Sequence, residues 1–134
     1  MSDPGSRAGT TKDGARIVSA ARGWIGTPYV HQASCKGAGA DCLGLVRGIW
    51  REVLGTEPLT LPAYTPDWSE ASGDEALLTG ADALLLPVPP GAQQPGDVIV
   101  FRMRAGAVAK HLGLLAGTGA AARFIHAYSG HGVV

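Results

Sequence analysis

Two cysteines and four histidines hold most of the reactive chemistry in this 134-residue chain. Cys42 stands directly after Asp41, behind a glycine-rich loop, Gly37-Ala38-Gly39-Ala40, and ahead of a stretch with helical spacing. That position puts the thiol in the first turn of a helix with Asp41 as its cap. The partial positive charge of a helix start favours thiolate, so a lowered thiol pKa is expected there. The unpaired N–H groups of the same turn are natural donors to a developing oxyanion. One position can thus supply a nucleophile and the groups that steady the charge it creates. The plainer reading is a buried cysteine acting as a small hydrophobe.

The histidines separate the two readings. His111 and His126 fall in consecutive strand-like segments on either side of Gly117-Thr118-Gly119, a hairpin signal. A two-residue turn at Thr118-Gly119 sets Gly117 against Ala120 and, counting outward, His111 directly opposite His126 on one face, whereas a three-residue turn with a bulge would offset the pair by one. The same register puts Gly113 opposite Phe124 and Leu112 opposite Ile125. A catalytic base needs a second group to hold its tautomer and orientation. Two histidines in register fill the roles of base and orienter.

These side chains need a frame. Asp13 is expected to cap a helix over 14–25, with Ile17, Ala20, Ala21, Trp24 and Ile25 on its apolar face and Gly26-Thr27-Pro28 as its stop. A second helix over 42–54 carries Cys42, Leu45, Val46, Ile49, Trp50 and Val53 on one stripe, and Gly55 ends it. The Pro-rich stretch 57–72 is irregular. A third helix is expected over 74–86, with Leu77, Leu78, Ala81, Leu84 and Leu85 inward, followed by a loop over 87–95. Strands are expected over 97–103, 108–116 and 121–128. Helices first and an antiparallel meander second is the pattern of an α+β domain.

The length suits one core, and 46% hydrophobic against 16% charged residues places the chain among folding sequences. No apolar run is long enough to cross a membrane. Residues 1–13 are polar and lack an apolar segment, so they read as a flexible tail rather than a secretory signal, and synthesis in the cytoplasm is expected. Formal charge is zero but uneven: all four charged residues after position 100 are basic, whereas 57–100 holds acidic residues only. No dense basic stripe marks a nucleic-acid partner. Two cysteines are too few for a disulfide scaffold. Cys35, Cys42, His111 and His126 make a conceivable zinc set, but cysteines seven apart lack the short spacing of a structural knuckle. No metal or organic cofactor is expected.

Five blocks in order now carry a resemblance: Gly26-Thr27-Pro28-Tyr29, Asp41-Cys42-Leu43-Gly44-Leu45-Val46, Pro95-Gly96-Asp97-Val98, Lys110-His111-Leu112-Gly113-Leu114 and Phe124-Ile125-His126-Ala127. The chain resembles the NlpC-type cell-wall cysteine peptidases over 14–134, with 57–95 as an insertion between the Cys helix and the sheet. The resemblance implies a papain-like α+β fold, helices packed on an antiparallel sheet. It implies Cys42 as nucleophile, His111 as base and His126 as third polar residue. It sets Tyr29 beside the site as an oxyanion or substrate residue, with Asp41 on the same side. It also implies hydrolysis of peptidoglycan stem peptides at the bond between γ-D-glutamate and the diamino acid. Leu43 stands where the commonest pattern has serine, and no proton path requires that hydroxyl.

The stretches 31–37 and 61–68 look like the branch of this family that accompanies tails of phages and gene transfer agents. A tail or baseplate partner and action on the cell wall follow from that likeness. His31 and Cys35 are then expected to be structural loop residues. The chain stops at Gly132-Val133-Val134 in what reads as the start of a strand, so the expectation is either a sequence cut short or an open sheet edge. Two other readings stand: a tail-tip plug or adaptor with a vestigial or secondary peptidase site, and an amidase or acyltransferase of the same fold.

Overall fold

A computed structural model describes residues 10–55, 57, 85, 88–89, 91–102, 109–117 and 122–134. The tail at 1–9, the third helix apart from Leu85, most of the Pro-rich stretch and the turn at Thr118-Gly119 lie outside the described residues. Among the described residues the elements run, in order, α1 (Thr10–Arg22), β1 (Ser34–Cys35), β2 (Gly39–Ala40), α2 (Cys42–Val53), β3 (Val98–Arg102), β4 (Ala109–Gly117), β5 (Arg123–Ile125), β6 (Ala127–Tyr128) and β7 (Gly132–Val133). The fold is α+β and papain-like, with both helices preceding an antiparallel sheet of order β3-β4-β5.

Helix α1 begins four residues before the expected start, so Asp13 lies inside it rather than at its cap. It ends at Arg22, and a chain of turns carries the backbone from Gly23 to Thr27. Those turns rotate Ile25 outward to 53% exposure, while Trp24 stays buried at 2%. The helix period does not continue through a turn, which is why Ile25 leaves the expected face. Trp24 Nε1 donates to Glu52 Oε1 at 2.9 Å, tying the end of α1 to the last turn of α2. Gly48 makes that approach possible, because a methyl group there would run into the Trp24 ring.

Helix α2 has the expected bounds within one residue, with Leu54 as C-cap and Gly55 in the left-handed region at φ 98°. Its buried face is Cys42, Gly44, Leu45, Gly48 and Ile49. Leu45 and Ile49 join Ile17, Ala21, Leu85, Val98, Leu112, Leu114 and Ile125 in the core, and the partly buried Val46, Trp50 and Val53 pack against it. Each fully buried aliphatic chain contributes roughly 1.5–3 kcal/mol relative to an exposed one. The rigid junction of α2 with the sheet rests on this packing.

The sheet pairs differently from the two-residue turn expected at Thr118-Gly119. Strands β4 and β5 pair Leu114 with Ile125, Leu115 with Phe124 and Gly117 with Arg123, with an irregularity between Leu115 and Gly117. The connection therefore runs over 118–122. The register is displaced by two positions, so Leu112 does not face Ile125 and Gly113 does not face Phe124. A displacement of two preserves which face each side chain occupies.

The β5 chain then changes partner. Ala127 and Tyr128 pair with Val133 and Gly132, and His126 exchanges both backbone hydrogen bonds with Val134 at 3.0 and 3.1 Å. Val133 in turn exchanges bonds with the 26–27 segment, and Pro28 and Val30 bond to Ala40. A continuous backbone path thus runs from the His126 strand, through Thr27 and Tyr29, to the residues immediately before Cys42.

Candidate active site

The start of α2 is held by Asp41, whose side chain is 2% exposed. Its Oδ1 accepts from the Gly44 N–H at 2.7 Å, and its Oδ2 accepts from the Gln32 N–H at 2.7 Å. Gln32 sits at φ 63°, a strained value for a residue with a side chain, so the second bond offsets a real cost. Asp41 is the expected cap. Both of its oxygens accept from backbone amides, so it acts on the site through the shape of the loop and the helix start. His31 Nδ1 approaches the same carboxylate at 3.7 Å.

Cys42 is buried, whereas Cys35 is exposed on β1. Burial pushes the Cys42 thiol up to about 11, and the Asp41 carboxylate adds to the push. The N–H groups of Leu112, Leu43 and Cys42 pull the other way and lose. The expected thiolate is therefore reversed at rest: desolvation outweighs the helix start. The Leu112 amide is informative for geometry. It belongs to the residue after His111, so the sulfur lies against the strand that carries the histidine.

His111 Nε2 and His126 Nδ1 are 2.7 Å apart, with ring planes at 76°. The pair forms although the two residues are not opposite each other in the ladder. Gly113 explains it. In the observed register Gly113 occupies the position facing His126, and a Cβ there would lie 3.2 Å from the His126 Cβ. The absent side chain leaves His126 room to lean diagonally across to His111. Burial and the neighbouring His126 hold His111 down to about 4. Burial, with His131 adding, lowers His126 as well. His111 is thus a neutral imidazole across the physiological range, and with Nε2 engaged by His126 its Nδ1 is the nitrogen placed for proton exchange elsewhere.

Tyr29 is half-buried beside Cys42 through the bridge to Ala40. Burial raises its hydroxyl pKa, and the nearby Cys42 and Asp41 charges raise it further. It remains a protonated donor at neutral pH. Cys35 pairs with Gly39 on the surface, away from the thiol at 42. Among the described residues no three His, Cys, Asp or Glu side chains gather as a metal-holding group.

Sequence reasoning missed three contributors. The Leu112 amide reaches the thiol, and Phe101 and Tyr128 set their rings 5.7 and 5.8 Å from His111. The alternation of 124, 126 and 128 on one strand face was the available signal for Tyr128.

A buried thiol at a capped helix start, a hydrogen-bonded imidazole pair with one member on β4 and a tyrosine beside the thiol invite comparison with known hydrolases. The profile of the NlpC/P60 family matches residues 26–134. The chain belongs to the NlpC/P60 family. It is 32% identical over 111 residues to a gamma-DL-glutamyl hydrolase of Bacillus subtilis (strain 168). That alignment covers 83% of this chain and 22% of the relative, so the chain spans about a fifth of that protein. The fold is similar to the crystal structure of the NlpC/p60 domain of peptidoglycan hydrolase SagA. The TM-score is 0.57, with 26% identity over 90% of this chain and 86% of that one.

Proposed function

We propose that this NlpC/P60 chain is a cysteine endopeptidase that hydrolyses peptidoglycan stem peptides, at the bond between the D-glutamate γ-carboxyl and the diamino acid. The observation that carries the reading is the 2.7 Å bond from His126 to His111, which stands on β4 next to Leu112, whose amide meets the Cys42 thiol. The names of the two relatives, a gamma-DL-glutamyl hydrolase and a peptidoglycan hydrolase, support the bond and the substrate.

The chemistry is acyl transfer through a thioester. Thiol and imidazole both rest neutral, so His111 Nδ1 takes the Cys42 proton as the sulfur attacks the carbonyl carbon. The first-turn amides and the Tyr29 hydroxyl donate to the oxyanion. Its collapse breaks the C–N bond, and His111 returns its proton to the leaving amine. The imidazole then takes a proton from water, whose oxygen cleaves the thioester and frees the Cys42 thiolate for reprotonation. His126 keeps Nε2 of His111 engaged throughout and so fixes which nitrogen faces the thiol. Mass spectrometry of purified peptidoglycan after incubation tests this. New termini at D-glutamate and at the diamino acid are expected, and products that persist with Cys42→Ala, or that carry other termini, would overturn it.

A second reading is favoured by the thiol itself, which is buried and held at about 11. In it the protein is a tail-tip plug or adaptor with a secondary site. The tail setting belongs to both readings and is supported by the likeness of 31–37 and 61–68 to tail-associated sequences. Detection of the protein in purified tail particles checks it, and absence from them counts against it.

A further inference from the structure

The His111–His126 pair joins a longer row of rings, and the proton chemistry does not use Phe124, Tyr128 or His131. Phe124, His126 and Tyr128 alternate onto one face, and His131 folds back against Tyr128. Successive centroids lie 4.5 Å (Phe124–His126), 5.4 Å (His126–Tyr128) and 5.6 Å (Tyr128–His131) apart. The last two rings are nearly parallel, at 23°. The row is open to solvent: Phe124 is 41% exposed and Tyr128 39%. Large aromatic side chains left exposed in a contiguous strip beside a reactive centre mark a contact surface. No carboxylate, lysine or arginine belongs to the row.

We infer that this row is a docking ledge for sugar rings of the glycan strand, which seats the saccharide carrying the stem peptide beside Cys42. The inference rests on the peptidoglycan reading above and adds a second binding element to it. A pyranose presents a face of C–H bonds to an aromatic ring and hydroxyls at its edge. The ledge offers ring faces together with a phenol and imidazole edges as hydrogen-bond partners. A stem peptide carries carboxylates and an amine, which call for charged partners that the row lacks. The ledge is continuous with the site through His126. Two residues beyond its far end, the Val133 N–H donates to the Thr27 carbonyl at 2.9 Å.

Two measurements test the ledge. In the first, Cys42→Ala protein is titrated by calorimetry with the tetramer of N-acetylglucosamine, which contains no peptide. Binding is expected, weakened roughly threefold to tenfold by Tyr128→Ala and by Phe124→Ala, and largely kept by Tyr128→Phe, whose ring still stacks. No binding, or equal binding by all variants, overturns the ledge whether or not the protein hydrolyses peptidoglycan. In the second, kcat/KM is compared for a stem peptide attached to its disaccharide and for the same peptide without sugar. The wild type is expected to prefer the sugar-bearing substrate several-fold, and His131→Ala and Phe124→Ala to reduce that ratio. A ratio of one in the wild type overturns the proposal, as does loss on both substrates alike, which would assign the ledge to the peptide. A dimer abolished by Tyr128→Ala in sedimentation would assign the row to a second copy and also overturn it. If the oligosaccharide binds as expected but no peptide is cut, the ledge stands and the hydrolase reading fails.

Discussion

The thiol half of the site is assembled from contacts about ten residues apart along the chain, and the histidine half from a pair fifteen apart across a ladder. Gln32 to Asp41, Ser34 to Gly44 and Thr27 to Gly37 are all short-range bonds that shape one loop around one helix start. His111 and His126 meet only because β4 and β5 find a particular register and Gly113 leaves a gap in it. The electrostatics differ as well. Burial holds a proton on Cys42 and keeps one off His111, so each half rests in its neutral form. Neutral partners avoid the cost of a buried ion pair before substrate arrives. The charge separation is deferred to the moment of attack.

The largest expected effects come from removing either half. Cys42→Ala and His111→Ala should each lower hydrolysis of stem peptide about 10³-fold or more, and the double variant should lose little beyond either, since one catalytic unit is not additive. The check is kcat/KM with thermal unfolding alongside. Cys42→Ala removes only a small buried group, so its Tm should stay within a few degrees. Losses that multiply would mean the halves act independently.

The next effect separates the two thiols. A helix start followed by histidines argues for a reactive Cys42, yet the folded protein buries it and raises its pKa to about 11, while Cys35 is exposed. Iodoacetamide at pH 8 should therefore label the exposed Cys35 faster than Cys42, which is buried and holds its proton. Mass-spectrometric labelling rates decide it, and faster labelling of Cys42 would restore the thiolate picture.

This reversal marks where the sequence stops being legible. Asp41 as cap, Cys42 as first residue and Gly55 as terminator could all be read, because a cap is a property of four or five adjacent residues. The face of α2 followed from its period. The thiol's protonation could not be read, because it is decided by burial in the folded chain, which outweighs the amides of Leu112, Leu43 and Cys42. Nor could the register, which carries an irregularity between Leu115 and Gly117. The histidines were still placed on a shared face, since a displacement of two keeps parity. Ile25 was misplaced for a local reason: α1 ends at Arg22, and a turn obeys no helical period.

The imidazole half sets a pH dependence. As base His111 must be neutral, and its pKa is lowered to about 4 from an ordinary 6.5. At pH 5 it should remain mostly neutral, about thirtyfold more so than an ordinary imidazole. The acid limb of kcat/KM should lie between pH 4 and 5, and a limb near 6.5 would show that burial does not control the base. The sign for stability is the same. A depressed folded pKa contributes stability that is present above the unfolded value and lost as pH falls through the folded one. Wild-type Tm should accordingly drop between about pH 6.5 and 4, and more steeply than that of His111→Phe.

His126 orients rather than reacts, so its loss should be milder. His126→Ala should reduce kcat about tenfold or somewhat more, with KM nearly unchanged. His126→Asn or His126→Gln should recover part of it, because an amide oxygen accepts from an imidazole N–H. Full activity in His126→Ala would remove it from the proton path.

The smallest effect isolates the register itself. Gly113 does no chemistry; it only leaves space opposite His126. A Cβ at this position would lie 3.1 Å from the Ile125 carbonyl oxygen and from Phe124 Cδ2, and 3.2 Å from His126 Cβ. These distances are tight but not prohibitive, so Gly113→Ala should fold with a modest fall in Tm. The methyl should push His126 aside and lengthen its 2.7 Å bond to His111 by a few tenths of an ångström. A rate loss of about threefold to tenfold follows, carried by kcat. The same methyl must cost little once the orienting bond is gone, so Gly113→Ala in a His126→Ala background should have almost no further effect on rate. Had the histidines faced each other directly, Gly113 would oppose Phe124, and the two losses would add. Coupling between positions 113 and 126, measured as that double-mutant cycle, therefore reports which register the sheet adopts.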